Sequence, residues 1–139
     1  MSLKNLYQEL ILKHFKQPHH FGPVTDEEAM ADGENPTCGD RFRLVFNAPE
    51  GKIESIRFDG KGCAISTASC SLMTEAVIGL TLEEARHLAE TFAGRMKDGE
   101  ELPDDYGDLR ALEGVQRFPL RVNCATLCWK ALLEALEQG

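Results

Sequence analysis

Between Arg41 and Asp59 the chain changes character at every second residue. Phe42, Leu44 and Phe46 alternate with Arg41, Arg43 and Val45. After the turn Asn47-Ala48-Pro49-Glu50-Gly51-Lys52, Ile56 and Phe58 alternate with Ser55, Arg57 and Asp59. A period of two sends successive side chains to opposite faces of a strand. Two such runs joined by a short polar turn read as an antiparallel hairpin. A hairpin brings its two ends together. The flanking residues are Cys38-Gly39-Asp40 before it and Gly60-Lys61-Gly62-Cys63 after it, so Cys38 and Cys63 are expected to be neighbours.

The rest of the chain reads as helices and loops. Leu3, Leu6, Tyr7, Leu10, Ile11, His14 and Phe15 recur at helical spacing, with Ser2 as the N-cap and Pro18 ending the run. Residues 17–34 are polar and broken by Pro18, Gly22, Pro23 and Gly33, which predicts a long loop with a short edge strand near residues 29–34. Residues 64–79 are rich in Ala, Ser, Leu, Met and Val and predict a buried helix. Cys63 then lies at that helix's N-terminus, where the dipole and free N–H groups favour a thiolate. Thr81-Leu82-Glu83-Glu84 is a capping box opening a helix to about Met96. An acidic loop follows over residues 97–107, then a short helix around residues 109–112. After Pro119 a C-terminal helix carries Cys124, Leu127, Trp129, Leu132 and Leu136. Residues 1–139 read as one α+β domain, a small antiparallel sheet with helices against one face.

A net charge of −8 disfavours nucleic acid and anionic membrane as partners and favours a basic protein surface. No apolar run reaches transmembrane length. Five cysteines with no secretory segment fit reduced thiols in the cytoplasm better than a disulfide framework.

The chemistry concentrates at three cysteines. One glycine between Cys38 and Asp40 lets both side chains face one point, or makes a turn in which Asp40 caps the backbone and Cys38 is packed. A second thiol, Cys63, at the same end of the hairpin favours a site. With Cys124, three thiolates and one carboxylate are enough to close a four-coordinate zinc site. The carboxylate is the harder, more exchangeable ligand, so this set suits exchange of a ligand or of the metal. A thiolate released from zinc could attack a persulfide sulfur. Cys70 and Cys128 read as small buried hydrophobes, with a redox partner role for Cys128 as the sharper alternative. His14 reads as a core-edge histidine, His87 as solvated, and His19-His20 as surface neighbours whose side chains point apart. Asp104-Asp105 has no matching second acid, and neither a phosphate-binding glycine loop nor a Ser–His–Asp pattern stands out.

These segments resemble the U-type iron–sulfur cluster assembly proteins, the IscU and SufU group. The likeness is carried by Leu6-Tyr7, Asn35-Pro36-Thr37-Cys38-Gly39-Asp40, Gly62-Cys63-Ala64-Ile65-Ser66 and Cys124-Ala125-Thr126-Leu127. It implies a three-stranded sheet, Cys38, Cys63 and Cys124 as essential thiols, Asp40 as fourth ligand, and a cysteine desulfurase as sulfur donor. The scaffold branch carries a Leu-Pro-Pro-Val-Lys segment and a His before its third cysteine. Here Phe118-Pro119-Leu120-Arg121-Val122 and Asn123 stand in those places. Cys63 and Cys124 are 61 residues apart, and the added stretch around residues 94–108 is similar to the insertion of the SufU branch. The SufU-like reading implies zinc held by Cys38, Asp40, Cys63 and Cys124. The docked desulfurase takes over part of the coordination and frees Cys38 to accept sulfur for a downstream scaffold or apo-acceptor protein. Arg121 is implied as an outer-sphere or docking contact. Two alternatives use the same ligands: a scaffold holding a [2Fe–2S] cluster or iron, and an interaction domain whose zinc is purely structural.

Overall fold

The computed structural model describes residues 3–36 and 39–138. Ser2, expected as a cap, and Cys38, expected at the centre of the site, lie outside the described residues.

The alternating run forms the predicted hairpin. Strand β2, Asp40–Asn47, pairs antiparallel with β3, Ser55–Lys61, in a register that sets Phe42 opposite Gly60 and Leu44 opposite Phe58. The edge strand expected near residues 29–34 is β1, Ala31–Asn35, antiparallel to β2 on its other side. The sheet therefore has three strands in the order β1-β2-β3. Phe42, Leu44, Phe46, Ile56 and Phe58 are buried on one face. The other face carries Arg41, Arg43 and Arg57, paired with Asp32, with Asp26 and Asp59, and with Glu28.

Helices cover the apolar face. Helix α1, Leu3–Lys16, ends two residues before Pro18. Helix α2, Ala64–Val77, begins directly after Cys63, and α3, Leu82–Asp98, begins after Thr81. Both bonds of the capping box form: Thr81 Oγ1 accepts from Glu84 N–H, and Glu84 Oε1 accepts from Thr81 N–H. Helix α4, Pro119–Gln138, packs against β1 at Gly33, where an added Cβ would come within 3.3 Å of both the Ala131 and Leu127 side chains. Trp129 is fully buried and stacks on Phe92 of α3 with ring centroids 4.5 Å apart. No helix among the described residues is long and apolar enough to cross a membrane.

Two expectations need correction. The short helix around residues 109–112 is part of a longer 3₁₀ segment, Asp104–Arg117, interrupted at Gly107 by φ 59° and ψ −128°. Leu109, Ala111, Leu112 and Val115 bury its inner side against the core. The acidic loop expected over residues 97–107 is shortened at both ends, because α3 runs to Asp98 and this segment begins at Asp104. The adjacent histidines do not point apart. His19 Nδ1 and His20 Nε2 lie 2.7 and 3.1 Å from the same Glu75 Oε1. The cause is the positive φ of His20, 56°. That turn is fixed by pairing with β3: Phe58 N–H donates to His20 O, and Gly22 N–H donates to Phe58 O.

His14 is buried as expected at the core edge, and its Nδ1 lies 2.6 Å from Ser71 Oγ. Burial, then repulsion from His19, hold its pKa below the ordinary histidine value. Ser71 Oγ also accepts from His19 N–H, so one α2 hydroxyl ties down both α1 and the loop that follows it. His87 is exposed.

Candidate metal centre

The hairpin delivers its end groups as expected. Asp40 begins β2 and Cys63 follows β3, and Cys63 N–H donates to Asp40 Oδ1 at 2.8 Å. Cys124, in the second turn of α4, joins them from the other side. Ligand atoms of Asp40, Cys63 and Cys124 all lie within 4.8 Å of one another, the only such group of three or more among the described residues. Cys38 belongs to the four-residue connection between β1 and β2, whose ends Asn35 and Asp40 are paired across the strands. Its chain neighbours place it beside this group in sequence, while its own position lies outside the described residues.

The donors differ in environment. Asp40 and Cys124 are fully buried, and Cys63 is half-buried. Asp40 Oδ2 is buried without a hydrogen-bond partner. A buried carboxylate oxygen left unsatisfied is costly, and a cation bound there would compensate it. Two sulfurs and a carboxylate oxygen are also a donor set that zinc accepts. The residues present therefore fit a zinc ion.

Cys63 is tuned as a helix N-cap. Its Sγ accepts from Ser66 N–H at 3.4 Å and lies 3.5 Å from Ser66 Oγ. Burial is the largest influence and opposes ionisation. Hydrogen bonds from the Ser66 side chain and backbone, with help from Cys124, outweigh it despite repulsion from Asp40, so the pKa falls below the ordinary thiol value. The Ser66 hydroxyl hydrogen has two acceptors, Cys63 O at 3.1 Å and the Cys63 sulfur. Ionising the thiol draws that hydrogen to sulfur. In metal-free protein, Ser66→Ala should move the pH profile of Cys63 alkylation to higher pH and slow alkylation several-fold at neutral pH. An unchanged profile would show that the hydroxyl does not support the thiolate.

Cys70 and Cys128 form a separate, deeper pair. Both are buried, and burial together with the Cys128 contact pushes the Cys70 thiol well above its ordinary pKa. Such a thiol stays protonated and inert. Arg121 is exposed in the first turn of α4, three residues before Cys124. Asn35 and Ser66 lie inside the family-like motifs, which by themselves assign a role to neither. Ser66 was legible as the N3 position of a helix beginning after Cys63. The contact of Asn35 Nδ2 with Cys124 Sγ, at 3.8 Å, spans 89 residues and had no local signal.

Residues 6–138 match the model of the NifU-like N terminal domain. The chain belongs to this family. Among its relatives is the zinc-dependent sulfurtransferase SufU of Bacillus subtilis, 44% identical over 142 residues that cover 99% of this chain and 95% of that one. The iron-sulfur cluster assembly scaffold protein IscU of Streptococcus pyogenes is 46% identical over 140 residues, covering 99% and 87%. The family fold is equally clear in solved structures. A Fervidobacterium islandicum protein assigned to the SUF iron–sulfur assembly system superposes with a TM-score of 0.83 at 34% identity, covering 97% of this chain and 99% of that one.

Proposed function

We propose that this protein, with residues 1–139 acting as one unit, is a zinc-dependent sulfur acceptor in iron–sulfur cluster assembly. It takes persulfide sulfur from a cysteine desulfurase and passes it to a downstream scaffold or apo-acceptor. The observation that carries the proposal is the buried convergence of Asp40, Cys63 and Cys124 around an unsatisfied carboxylate oxygen. The NifU-like family supports it, and so does the likeness to a relative whose name gives both zinc and sulfur transfer.

In this reading Asp40, Cys63 and Cys124 hold zinc with Cys38, and Cys38 is the acceptor. Bound zinc keeps its thiol ligands deprotonated at neutral pH. The Cys38 thiolate attacks the terminal sulfur of the donor persulfide, the S–S bond breaks, and the donor's own cysteine leaves as a thiolate. The new persulfide sits on Cys38. Asp40, anchored through Oδ1 by Cys63 N–H, keeps the carboxylate in place while Cys38 is engaged elsewhere. Partner docking has apolar surface available beside the site. Phe118 and Leu120 are 60% and 71% exposed, and Phe118 lines a cleft of about 550 Å³ with Tyr7, Ile11, Ile65 and Val115.

The test is to incubate zinc-loaded protein with a cysteine desulfurase and cysteine, then locate the added sulfur by mass spectrometry. Sulfur on Cys38 with zinc retained is expected, and Cys38→Ala should lose more than nine-tenths of the stimulation of the desulfurase. Full stimulation by Cys38→Ala would exclude the transfer step. A cluster chromophore that forms and passes to an apo-ferredoxin would instead favour the scaffold reading, which the Streptococcus pyogenes relative makes specific. Zinc retained with no sulfur uptake at all would leave a structural metal.

A further inference from the structure

Asn35 ends β1 and faces Asp40 across the pair of strands. Its backbone oxygen accepts from Gly39 N–H at 2.9 Å, closing the four-residue connection that contains Cys38. Its side-chain Nδ2 donates to Cys124 Sγ at 3.8 Å. One residue thus touches both ends of the centre: the turn that carries one thiol, and the sulfur of another thiol 89 residues later. Its amide cannot ionise in the biological range and always offers N–H.

A hydrogen bond to a thiolate disperses its charge and fixes the direction of the sulfur lone pairs. Cys124 enters on a rigid helix while Cys38 enters on a short connection, so their relative placement is not set by any one element. Asn35 bonds to Gly39 in that connection and to the sulfur of Cys124. We propose that Asn35 is a positioning residue of the metal centre, coupling the Cys38 connection to the Cys124 thiolate through its side-chain N–H. The inference rests on the zinc reading above and goes beyond it by assigning a group that is not itself a ligand.

The experiment compares Asn35→Asp, Asn35→Ala and parent. Asp has the same shape, forms turns as readily as Asn, and keeps the backbone carbonyl, but replaces the N–H donor by an anionic oxygen. Zinc affinity, measured by competition with a chromogenic chelator, should fall about tenfold in Asn35→Ala. It should fall further in Asn35→Asp, where the carboxylate repels the thiolate. In protein loaded with Co²⁺, the sulfur-to-metal charge-transfer band should shift in both variants as the thiolate loses its donor. Thermal unfolding of the metal-free proteins should change little.

An Asn35→Asp variant that binds zinc as tightly as the parent, or more tightly, overturns the proposal. So does a fall in affinity matched by an equal loss of metal-free stability with the Co²⁺ band unmoved, because that pattern belongs to a residue that only closes the turn. The two readings fail separately: a parent that binds no zinc removes the metal centre, whereas a zinc-binding parent with an indifferent Asn35→Asp removes only the role of Asn35.

Discussion

Gly60→Ala is expected to unfold the chain under conditions in which the parent is fully folded. Gly60 sits in β3 with φ 131°, a conformation that L side chains rarely adopt. A Cβ there would lie 2.1 Å from Arg41 O and 2.9 Å from Phe42 Cα. Both are backbone atoms of the paired strand. Neither can swing away, because Arg41 and Phe42 are held in register opposite Lys61 and Gly60. Relief means breaking the hairpin at the end that carries Asp40 and leads to Cys63. The cost should exceed about 4 kcal/mol, a large share of the roughly 5–15 kcal/mol that holds a typical domain together. Gly62 makes a useful contrast. Its added Cβ would meet side chains and not backbone, Ser66 Oγ at 2.4 Å and the Phe42 ring at 2.7 Å. The hydroxyl can rotate away, while the buried ring has little room to move. Denaturant unfolding measures the effect at Gly60 directly. A Gly60→Ala protein within about 1 kcal/mol of the parent would mean that the strand pairing near the site is not what the register says.

The parts of this fold that could be read in advance are those in which local chemistry and tertiary demand agree. Phe42, Leu44, Phe46, Ile56 and Phe58 alternate because one sheet face is covered by helices and the other carries ion pairs. The capping box at Thr81 needs only four consecutive residues, and both of its bonds are present. The approach of Asp40 to Cys63 follows from hairpin closure alone. Features set by distant partners were harder. His20 adopts a positive φ where Phe58, 38 residues later, pairs with His20 and Gly22. The 3₁₀ segment Asp104–Arg117 hides its length behind Gly107. Its buried Leu109, Leu112 and Val115 recur at every third residue, the period of a 3₁₀ helix and not the 3.6 of an α-helical stripe. At the site, the residue types that could hold metal were visible, and their convergence from α4 rested on likeness to a family until the packing of α4 on β1 and α2 supplied a physical route. The contact of Asn35 with Cys124 could not be found from either neighbourhood, because neither sequence segment contains the other half of it.

Asp40→Asn should stabilise the metal-free protein while removing most of its zinc affinity, a crossing of effects that few residues can produce. The carboxylate is fully buried, with one oxygen bonded to Cys63 N–H and the other without a partner. Asn keeps an oxygen for the Cys63 N–H and removes the buried negative charge, whose uncompensated desolvation costs several kcal/mol in typical proteins. Its neutral amide is a far poorer zinc ligand, so affinity should fall by about 100-fold or more. For the parent, zinc at a free concentration 1,000 times its dissociation constant adds about 4 kcal/mol. In a domain of this size that raises the unfolding midpoint by roughly 10–15 °C, and a strong chelator should take the gain away. Thermal unfolding of parent and Asp40→Asn, each with zinc and with chelator, gives four midpoints. The variant should melt above the parent in chelator and below it in zinc. A variant that gains as much from zinc as the parent would remove Asp40 from the ligand set. A parent indifferent to the chelator would mean that the unsatisfied oxygen does not await a metal, and that the buried carboxylate serves only to hold the N-terminus of α2 against β2.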